Sequence, residues 1–446
     1  MKKNKIVLGY ARIMLVIIAV LQVHIVTHAG ENPPRDFPSI FIETDPEVWV
    51  DRETWFAGQV AISSPNSDQS FYAVEADIRG RGNSTWIHGE DKRPLRFRFP
   101  EGEERRILQF EHEARTWVLL SNHFDLSLMR NFSMYYLASL LDGLYWTPVV
   151  QFVHLYVNDE YMGLYLLTDE RDIGEGRARL TLDGDPTISE FFLERDRRAS
   201  RGDARAWLDY VQVHGVTYDI RFPNNVRRTV EQGKYIYNFL YNVSYVIRSR
   251  DWENISAILD IDSFVDFYIV QEFSRDPDAG FSSIFMQVKW EDEERILHMG
   301  PVWDFDIALG NNPGSRPTGI RAADRHYWFG NLIMVPEFQE LVRERWEEIR
   351  ENQLLEMVEK IEYLTYHYIE AFYRNFERHP ILGTGEAVWR NHERVLEIDT
   401  FMGQIEYLFE FMEARANWFS DFLSSDTIEI NLMDRDFIDP NAEREG

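Results

Sequence analysis

Two aspartates stand two positions apart in GPVWDFDIALGN, the segment that covers residues 300–311. Asp304 and Asp306 alternate with the large apolar residues Trp303 and Phe305. A carboxylate buried in such surroundings is costly unless it is paired or binds a cation. Oxygen ligands of this type suit Mg²⁺, Mn²⁺ or Ca²⁺. The segment therefore predicts a metal site, although an Asp-x-Asp pair is also common by chance.

A glycine-rich segment, RGRGNSTW at residues 79–86, directly follows a predicted strand. Its glycines let the backbone approach a ligand, and the backbone N–H groups with the side chains of Asn83 and Ser84 can donate to an anion. Arg79 and Arg81 add positive charge. The segment has no Walker-type lysine, so it is not a standard P-loop. It indicates either a phosphate-binding loop or an ordinary glycine turn.

Positive charges alternate with apolar residues in KRPLRFRF, residues 92–99. On a strand, Arg96 and Arg98 would point to one side and the apolar residues to the other. A cationic face beside a glycine-rich turn is unusual in a chain with a net charge of −28. The alternatives are a face that binds phosphates and a solvated strand face.

A further carboxylate, Asp278, lies in EFSRDPDAGFSS, residues 272–283, after a predicted amphipathic helix and before a predicted strand. A carboxylate in such a tight loop can orient a hydroxyl or hold a metal. The sequence DPDAG is also typical of a turn, so a simple capped turn is the other interpretation.

The elements that must position these motifs are strands first and helices later. Strand-like patterns predict strands near residues 40–43, 60–62, 73–79, 95–99 and 117–120, and a hairpin at 153–167 that turns at Asn158-Asp159. Residues 95–99 show period-two alternation, and 117–120 is a candidate for a short buried strand. One helix, at 126–141 with Asp125 as its cap, interrupts them. Helices are expected at 228–250 and 260–274, a hairpin at 283–303, and helices again beyond about 335, where Phe338, Val342, Trp346 and Ile349 share a face. The expected fold class is α+β, with the polar motifs near the junction.

Composition excludes several classes of protein. The 446 residues include 47 Lys plus Arg and 75 Asp plus Glu, which argues against a nucleic-acid binder with a basic surface. The absence of cysteine excludes disulfides, thiol catalysis and Cys-ligated metals. With 44% hydrophobic residues, the chain is expected to fold.

The N-terminus has the pattern of a secretory signal peptide. A basic start at Lys2, Lys3 and Lys5 precedes an apolar run at 13–26, and Ala29 supplies a small residue before Gly30. An uncleaved membrane anchor is the alternative, but the run is short and contains Gln22 and His24. We therefore expect an exported protein, extracellular, periplasmic or in the cell envelope, without stable membrane insertion after cleavage of residues 1–29. An exported chain without cysteine weakly favours a bacterial source.

Together, these motifs resemble the CotH kinase family, the spore-coat protein H group of atypical, protein-kinase-like proteins. The resemblance also includes WVLLSNHFDLSLMRN, VHLYVNDEYMGLYLLTDE and FFLERD, and it covers residues 38–425. It implies a bilobal kinase-like domain with a β-rich lobe at 38–190 and a mainly helical lobe at 191–425. A linker at 30–37 and an acidic tail at 426–446 would flank this domain. The implied activity is ATP-dependent phosphorylation of secreted or envelope proteins on Ser or Thr.

The resemblance also implies roles for individual residues. Asp278 is similar to the catalytic aspartate of kinases, and Asp304, with Asp306 beside it, to the metal-binding aspartate, for Mg²⁺ or Mn²⁺. Ser283 (or Ser282) stands where a kinase places its second metal ligand. Arg96 or Arg98, with Lys92 as a less favoured candidate, would replace the nucleotide-binding lysine. The residues expected to contact ATP are Arg81, Gly82, Asn83, Ser84, Arg96, Arg98 and Glu170, the last in a hinge-like position.

Two other functions remain open from the sequence. A pseudokinase would keep the fold as a structural envelope or coat protein. A metal-dependent glycosyltransferase would use Asp304 and Asp306 for a sugar nucleotide, although no doubly wound βαβ half is apparent. Retention of all three aspartates favours an active kinase, whereas serine in place of the second ligand favours the scaffold.

Overall fold

The computed structural model describes residues 36–430, except 48–49, 90, 172, 175, 225, 386–390 and 426–427. The predicted signal peptide lies outside these residues, as do most of the predicted linker and most of the acidic tail. No described helix is both long and apolar enough to cross a bilayer.

Seven strands in the first half close into a barrel, in the order β1-β2-β3-β4-β5-β7-β6. All neighbouring pairs are antiparallel except β1 and β6, which close the barrel in parallel. Alternating apolar side chains fill its interior, among them Ile40, Ile78, Phe97 and Trp117. The strands are β1 (Ser39–Thr44), β2 (Phe56–Ser63), β3 (Phe71–Gly80), β4 (Leu95–Arg98), β5 (Thr116–Leu120), β6 (Val150–Val157) and β7 (Glu160–Asp169), with a short 3₁₀ turn at Ser67–Gln69.

Two helices interrupt the barrel strands. The first, α1 (Ser84–His88), directly follows the glycine-rich loop. The second, α2 (Arg130–Ser139), is shorter than predicted, because the residues before Arg130 form turns. Asp125 is not its N-cap residue, which is Met129, but its carboxylate accepts the Arg130 N–H at 2.7 Å and so still satisfies the start of the helix.

A second, antiparallel sheet has the order β12-β11-β8-β10-β9. It contains β8 (Phe191–Arg195), β9 (Tyr210–Val213), β10 (Val216–Phe222), β11 (Ile284–Glu291) and β12 (Glu294–Met299). The β11–β12 hairpin was predicted, but β12 ends at Met299, so residues 300–304 are irregular. The β9–β10 hairpin was not predicted. The part of the chain expected to be mainly helical therefore begins with strands.

Helices make up most of the second half of the chain. They are α3 (Val230–Ser249), α4 (Trp252–Ser256), α5 (Ile261–Ser274), α6 (Ala322–Arg325), α7 (Tyr327–Leu332), α8 (Pro336–Glu351), α9 (Gln353–His367), α10 (Ile369–Arg378), α11 (Glu393–Glu397) and α12 (Phe401–Leu423). The predicted apolar face of α8 is buried at Phe338, Val342, Trp346 and Ile349. Thr229 and Gln232 form a capping box at the start of α3.

The architecture is therefore mixed α+β, with a β-rich N-terminal region and a largely helical C-terminal part. One hydrophobic cluster fills the barrel, and a larger one joins the second sheet, the long helices and the outer side of the barrel. The described residues belong to one compact unit. A division into two kinase-like lobes stays a prediction.

Candidate functional site

A cavity of about 1010 Å³ brings the four sequence motifs together. The lining comes from the loop after β3, strand β4, the end of β7, the loop before β11 and the loop after β12. Of the predicted site residues, those that line it are Arg81, Gly82, Asn83, Ser84, Arg96, Glu170, Asp278, Ser283, Asp304 and Asp306. Arg98 is not among the lining residues.

The glycine-rich loop enters the cavity at the end of β3. Gly82 has a φ of +84°, and a Cβ at this position would lie 2.3 Å from the hydroxyl of Thr85. A Cβ on Gly80 would lie 2.1 Å from the indole ring of Trp86. A larger residue at either position would require Thr85 or Trp86 to move, so these glycines let the loop pack closely against its own side chains.

Strand β4 contributes one arginine to the cavity, and the residue directly after β7 is its partner. The guanidinium of Arg96 pairs with the carboxylate of Glu170 at 2.9 Å. Burial opposes ionisation of Glu170, but Arg171, Arg96 and Arg81 outweigh it and lower the pKa of this carboxyl to about 2. Glu170 is therefore a stable anion that holds several guanidinium groups at the cavity wall.

Arg98 lies outside the cavity, in contrast to the prediction that it contacts a ligand there. Its side chain shares a face with Arg96, as expected, because both guanidiniums lie over the ring of Trp55, at 4.1 Å for Arg98 and 5.5 Å for Arg96. Arg98 pairs with Asp77 at 2.9 Å. The two arginines thus share a face but have different partners.

Lys92 lies inside the protein and does not line the cavity. Its Nζ donates a hydrogen bond to the carbonyl of Leu164 at 2.8 Å and lies 5.2 Å from the centre of the Tyr165 ring. Burial lowers the pKa of Lys92 to about 7. Its contacts are those of a structural residue of the barrel.

The segment after β12 carries the predicted metal ligands. Asp304 has a φ of +74°, in the left-handed region. Its backbone N–H donates to the hydroxyl of Tyr135 at 3.1 Å, and the next N–H, of Phe305, donates to the side chain of Asn131 at 2.7 Å. The hydroxyl of Ser283 donates to the Asp304 carboxylate at 3.2 Å. Helix α2 and the loop before β11 therefore position this aspartate together.

The loop before β11 has two aspartates with different surroundings. Asp276 is buried, and its carboxylate accepts the backbone N–H of Asp278 at 3.0 Å. Asp278 lines the cavity, and the hydroxyl of Ser282 lies 3.5 Å from its carboxylate. Arg321 donates to the carbonyls of Asp276, at 3.1 Å, and Pro277. Asp276 thus supports the loop, whereas Asp278 is available to a ligand.

The carboxylates around this end of the cavity repel one another. Burial and then the charge of Asp278 raise the pKa of Asp276, and burial and then Asp304 raise the pKa values of Asp278 and Asp306. A cation would relieve this repulsion. No three acidic or imidazole side chains in the described part of the chain form a complete metal cluster. The donors nevertheless fit Mg²⁺, which is usually held by one or two carboxylates together with phosphate oxygens and water.

The cavity is also rich in arginine, which the sequence motifs did not predict. Eight arginines and seven acidic residues line it, although acidic residues dominate the chain. The arginines that sequence reasoning missed are Arg52, Arg171, Arg197, Arg198, Arg221 and Arg321. Two of them, Arg197 and Arg198, directly follow the FFLERD segment. This position next to a family segment could have indicated that they belong to the site. Arg171 lies over the ring of Trp303 at 4.2 Å, which brings it close to Asp304.

One of the comparisons with known proteins identifies a family. The chain belongs to the CotH kinase protein family, whose family model matches residues 78–419, from strand β3 to helix α12. The match contains all four motifs and most of the chain. A search of curated proteins finds no match.

Proposed function

We propose that the protein is an exported, ATP- and metal-dependent kinase that phosphorylates Ser or Thr residues of secreted or envelope proteins. Membership of the CotH family favours a kinase-like function. The observation that carries the proposal is the composition of one cavity, which is lined by the glycine-rich loop, Arg96, Asp278, Asp304 and Asp306. These groups match the needs of phosphoryl transfer, which depends on positioning, metal and positive charge.

The nucleotide would bind with its phosphates between the glycine-rich loop and the arginines. Backbone N–H groups at Gly82 and Asn83 can donate to phosphate oxygens, and Arg96 can hold one through two parallel hydrogen bonds. Asp304, Asp306 and Ser283 would hold Mg²⁺ or Mn²⁺, which neutralises charge on the phosphates when bound. Glu170 would keep the guanidiniums in place rather than bind the metal.

Asp278 would act as the catalytic base. The acceptor hydroxyl attacks the γ-phosphorus and its proton passes to the Asp278 carboxylate. A bond forms between the acceptor oxygen and the phosphorus, while the bond from phosphorus to the bridging oxygen of ADP breaks. Asp276 keeps Asp278 in position by accepting its backbone N–H.

The other functions make different predictions for the same cavity. A scaffold could bind ATP without transferring phosphate. A glycosyltransferase would bind a sugar nucleotide instead, but the described sheets are a barrel and an antiparallel sheet, not a doubly wound parallel one.

Two measurements on the purified protein separate these functions. Thermal unfolding should shift upwards with ATP plus Mg²⁺ or Mn²⁺, and not with UDP-sugars. Labelled γ-phosphate should then appear on the protein itself or on a co-secreted protein. Stabilisation without transfer to any acceptor would favour the scaffold, and stabilisation by a UDP-sugar alone would favour the glycosyltransferase.

A further inference from the structure

A small recess with a volume of about 230 Å³ opens beside the catalytic loop, the loop that carries Asp276 and Asp278. It shares Pro277, Asn312 and Arg321 with the main cavity. Pro277 directly precedes Asp278, so the recess adjoins the residue at which the acceptor hydroxyl would react. A group that fills the recess would therefore lie next to the reacting hydroxyl, so it can belong to the acceptor rather than to the nucleotide.

Three arginines, Arg275, Arg316 and Arg321, line this recess. Among the described residues, none of the three has a carboxylate within ion-pair distance. Arg321 is tied to the catalytic loop by its hydrogen bonds to Asp276 and Pro277, and Arg275 donates to the Thr318 carbonyl at 3.2 Å. Arg316 is exposed. Three arginines that form no ion pair among the described residues thus line one recess, in a chain with a net charge of −28.

Burial and neighbouring arginines oppose the charge of Arg275, whereas Asp276 and Asp278 partly compensate that of Arg321. Burial, followed by the charges of Arg415 and Arg321, lowers the pKa of Arg275 to about 10. Arg415 has its own counterion, because it pairs with the buried Glu272 at 2.6 Å. The protein thus holds like charges close together at a solvent-accessible recess, an arrangement that an anion would stabilise.

We propose that Arg275, Arg316 and Arg321 form a subsite for an anionic side chain of the acceptor, a carboxylate or a phosphate, next to its reacting hydroxyl. The inference rests on the proposed kinase function and adds a substrate class, acidic or already phosphorylated acceptor segments. Clusters of arginine are a common means of recognising acidic and phosphorylated motifs. The forked guanidinium suits both groups, since each offers two oxygens at matching spacing.

Binding can be measured without catalysis. Fluorescein-labelled peptides with one serine are compared in three forms, in which the flanking residues are glutamate, glutamine or phosphoserine. Fluorescence anisotropy with the full chain, without ATP or divalent metal, gives each affinity. The glutamate or phosphoserine peptide should bind about tenfold more tightly than the glutamine peptide. The preferred form identifies which anion the recess takes.

The variants are chosen to remove charge without unfolding the protein. Arg316→Ala removes an exposed side chain. Arg275→Asn introduces asparagine, which tolerates the φ of +51° at this helix end. Each should remove most of the preference for the anionic peptide, and ATP affinity should not change. Arg106→Ala is the matched control, because Arg106 is exposed in the β4–β5 loop and lines neither cavity. Arg321 is not used, because it also supports the catalytic loop.

The outcomes separate the subsite from the kinase function. Equal binding of anionic and neutral peptides, an equal effect of Arg106→Ala, or loss of ATP affinity in Arg316→Ala would overturn the subsite. Ser315 also lines the recess. Phosphate found on Ser315 by mass spectrometry would likewise overturn the subsite, because the arginines would then bind a phosphate of the protein itself and not an acceptor. In transfer assays, Arg316→Ala should raise KM for the anionic peptide and leave kcat unchanged. Anion-dependent binding without any phosphate transfer would keep the subsite and reject the kinase.

Discussion

The hydroxyl of Tyr135 accepts a hydrogen bond from the backbone N–H of Asp304 at 3.1 Å. One turn earlier on helix α2, Asn131 accepts the N–H of Phe305, and Arg130 donates to the carbonyl of Ala308 at 3.1 Å. The helix therefore holds the segment with the proposed metal ligands by its backbone. In this chain, hydrogen bonds to that backbone connect helix α2 to the site.

The first prediction concerns this connection. In Asn131→Ala, the buried N–H of Phe305 loses its acceptor, which should lower the free energy of unfolding by about 1–3 kcal/mol. The Asp304 segment should also become less ordered, so stabilisation by ATP with Mg²⁺ should decrease. Urea unfolding and thermal shift measure the two effects. Ser139→Ala, an exposed position on the same helix, is the control, and equal losses in both variants would contradict a specific role for Asn131.

The second prediction tests Asp304 as a metal ligand. Alanine would be strained at a φ of +74°, so Asp304→Asn is the better variant, because asparagine tolerates the left-handed region and keeps the size of the side chain. The variant should fold, but Mg²⁺ should no longer increase the thermal stabilisation that ATP gives. Asp159→Asn is a matched control, since Asp159 is exposed and has a φ of +64°. Unchanged stabilisation in Asp304→Asn would mean that Asp304 is not a ligand.

Sequence patterns predicted the barrel strands well, because their alternation reflects an interior that only apolar side chains can fill. The missed β9–β10 hairpin also had a signal. Val211 and Val213 alternate with polar residues before the His214-Gly215 turn, where both residues have positive φ. The predicted hairpin at 283–303 was too long, because β12 ends at Met299 and the backbone at Asp304 and Phe305 instead bonds to helix α2.

Much of the candidate site was also accessible from sequence. The hairpin predicted at 283–303 returns the chain on itself, so it implies that the loop before β11 lies near Asp304, and the contact between Ser283 and Asp304 agrees with this topology. The roles of the arginines were not accessible in the same way. Arg96 and Arg98 have the same local pattern, and only the positions of Glu170 and Asp77, each distant in sequence, separate them.

The third prediction uses this difference. Arg96→Ala removes a guanidinium from the cavity and leaves Glu170 with fewer cations, so ATP affinity should fall by about tenfold or more. Arg98→Ala removes an arginine two positions away that lines no part of the cavity, and ATP affinity should stay near that of the wild type. Calorimetry with ATP and Mg²⁺ measures both. Similar losses in the two variants would show that the strand acts through its total charge.

The fourth prediction separates the two aspartates of the catalytic loop. Asp278→Asn should retain ATP binding and reduce phosphate transfer by about 10²–10⁴-fold, because the acceptor hydroxyl loses its base. Asp276→Asn keeps an oxygen that can accept the Asp278 N–H, so transfer should decrease much less. The measurement is γ-phosphate incorporation at saturating ATP. If Asp278→Asn transfers phosphate at the wild-type rate, another group is the base.

The last prediction concerns Lys92 and pH. Its pKa of about 7 in the folded protein lies below its ordinary value of 10.5. Between these values the unfolded chain binds a proton that the folded protein does not, so the contribution of Lys92 to stability increases with pH, by up to about 1.4 kcal/mol per pH unit. Below pH 7 the lysine is charged in both states, and the cost of burying that charge is fully present.

Lys92→Met removes this contribution and keeps an unbranched side chain of similar length. The variant should therefore gain stability over the wild type as pH falls from 10 to 7, and the gain should level off below pH 7. Urea unfolding at each pH measures the difference, with exposed Lys234→Met as the control. ATP affinity should not change, because Lys92 does not line the cavity. A stability difference that does not vary with pH would contradict the lowered pKa, and loss of ATP binding would restore Lys92 as the nucleotide-binding lysine.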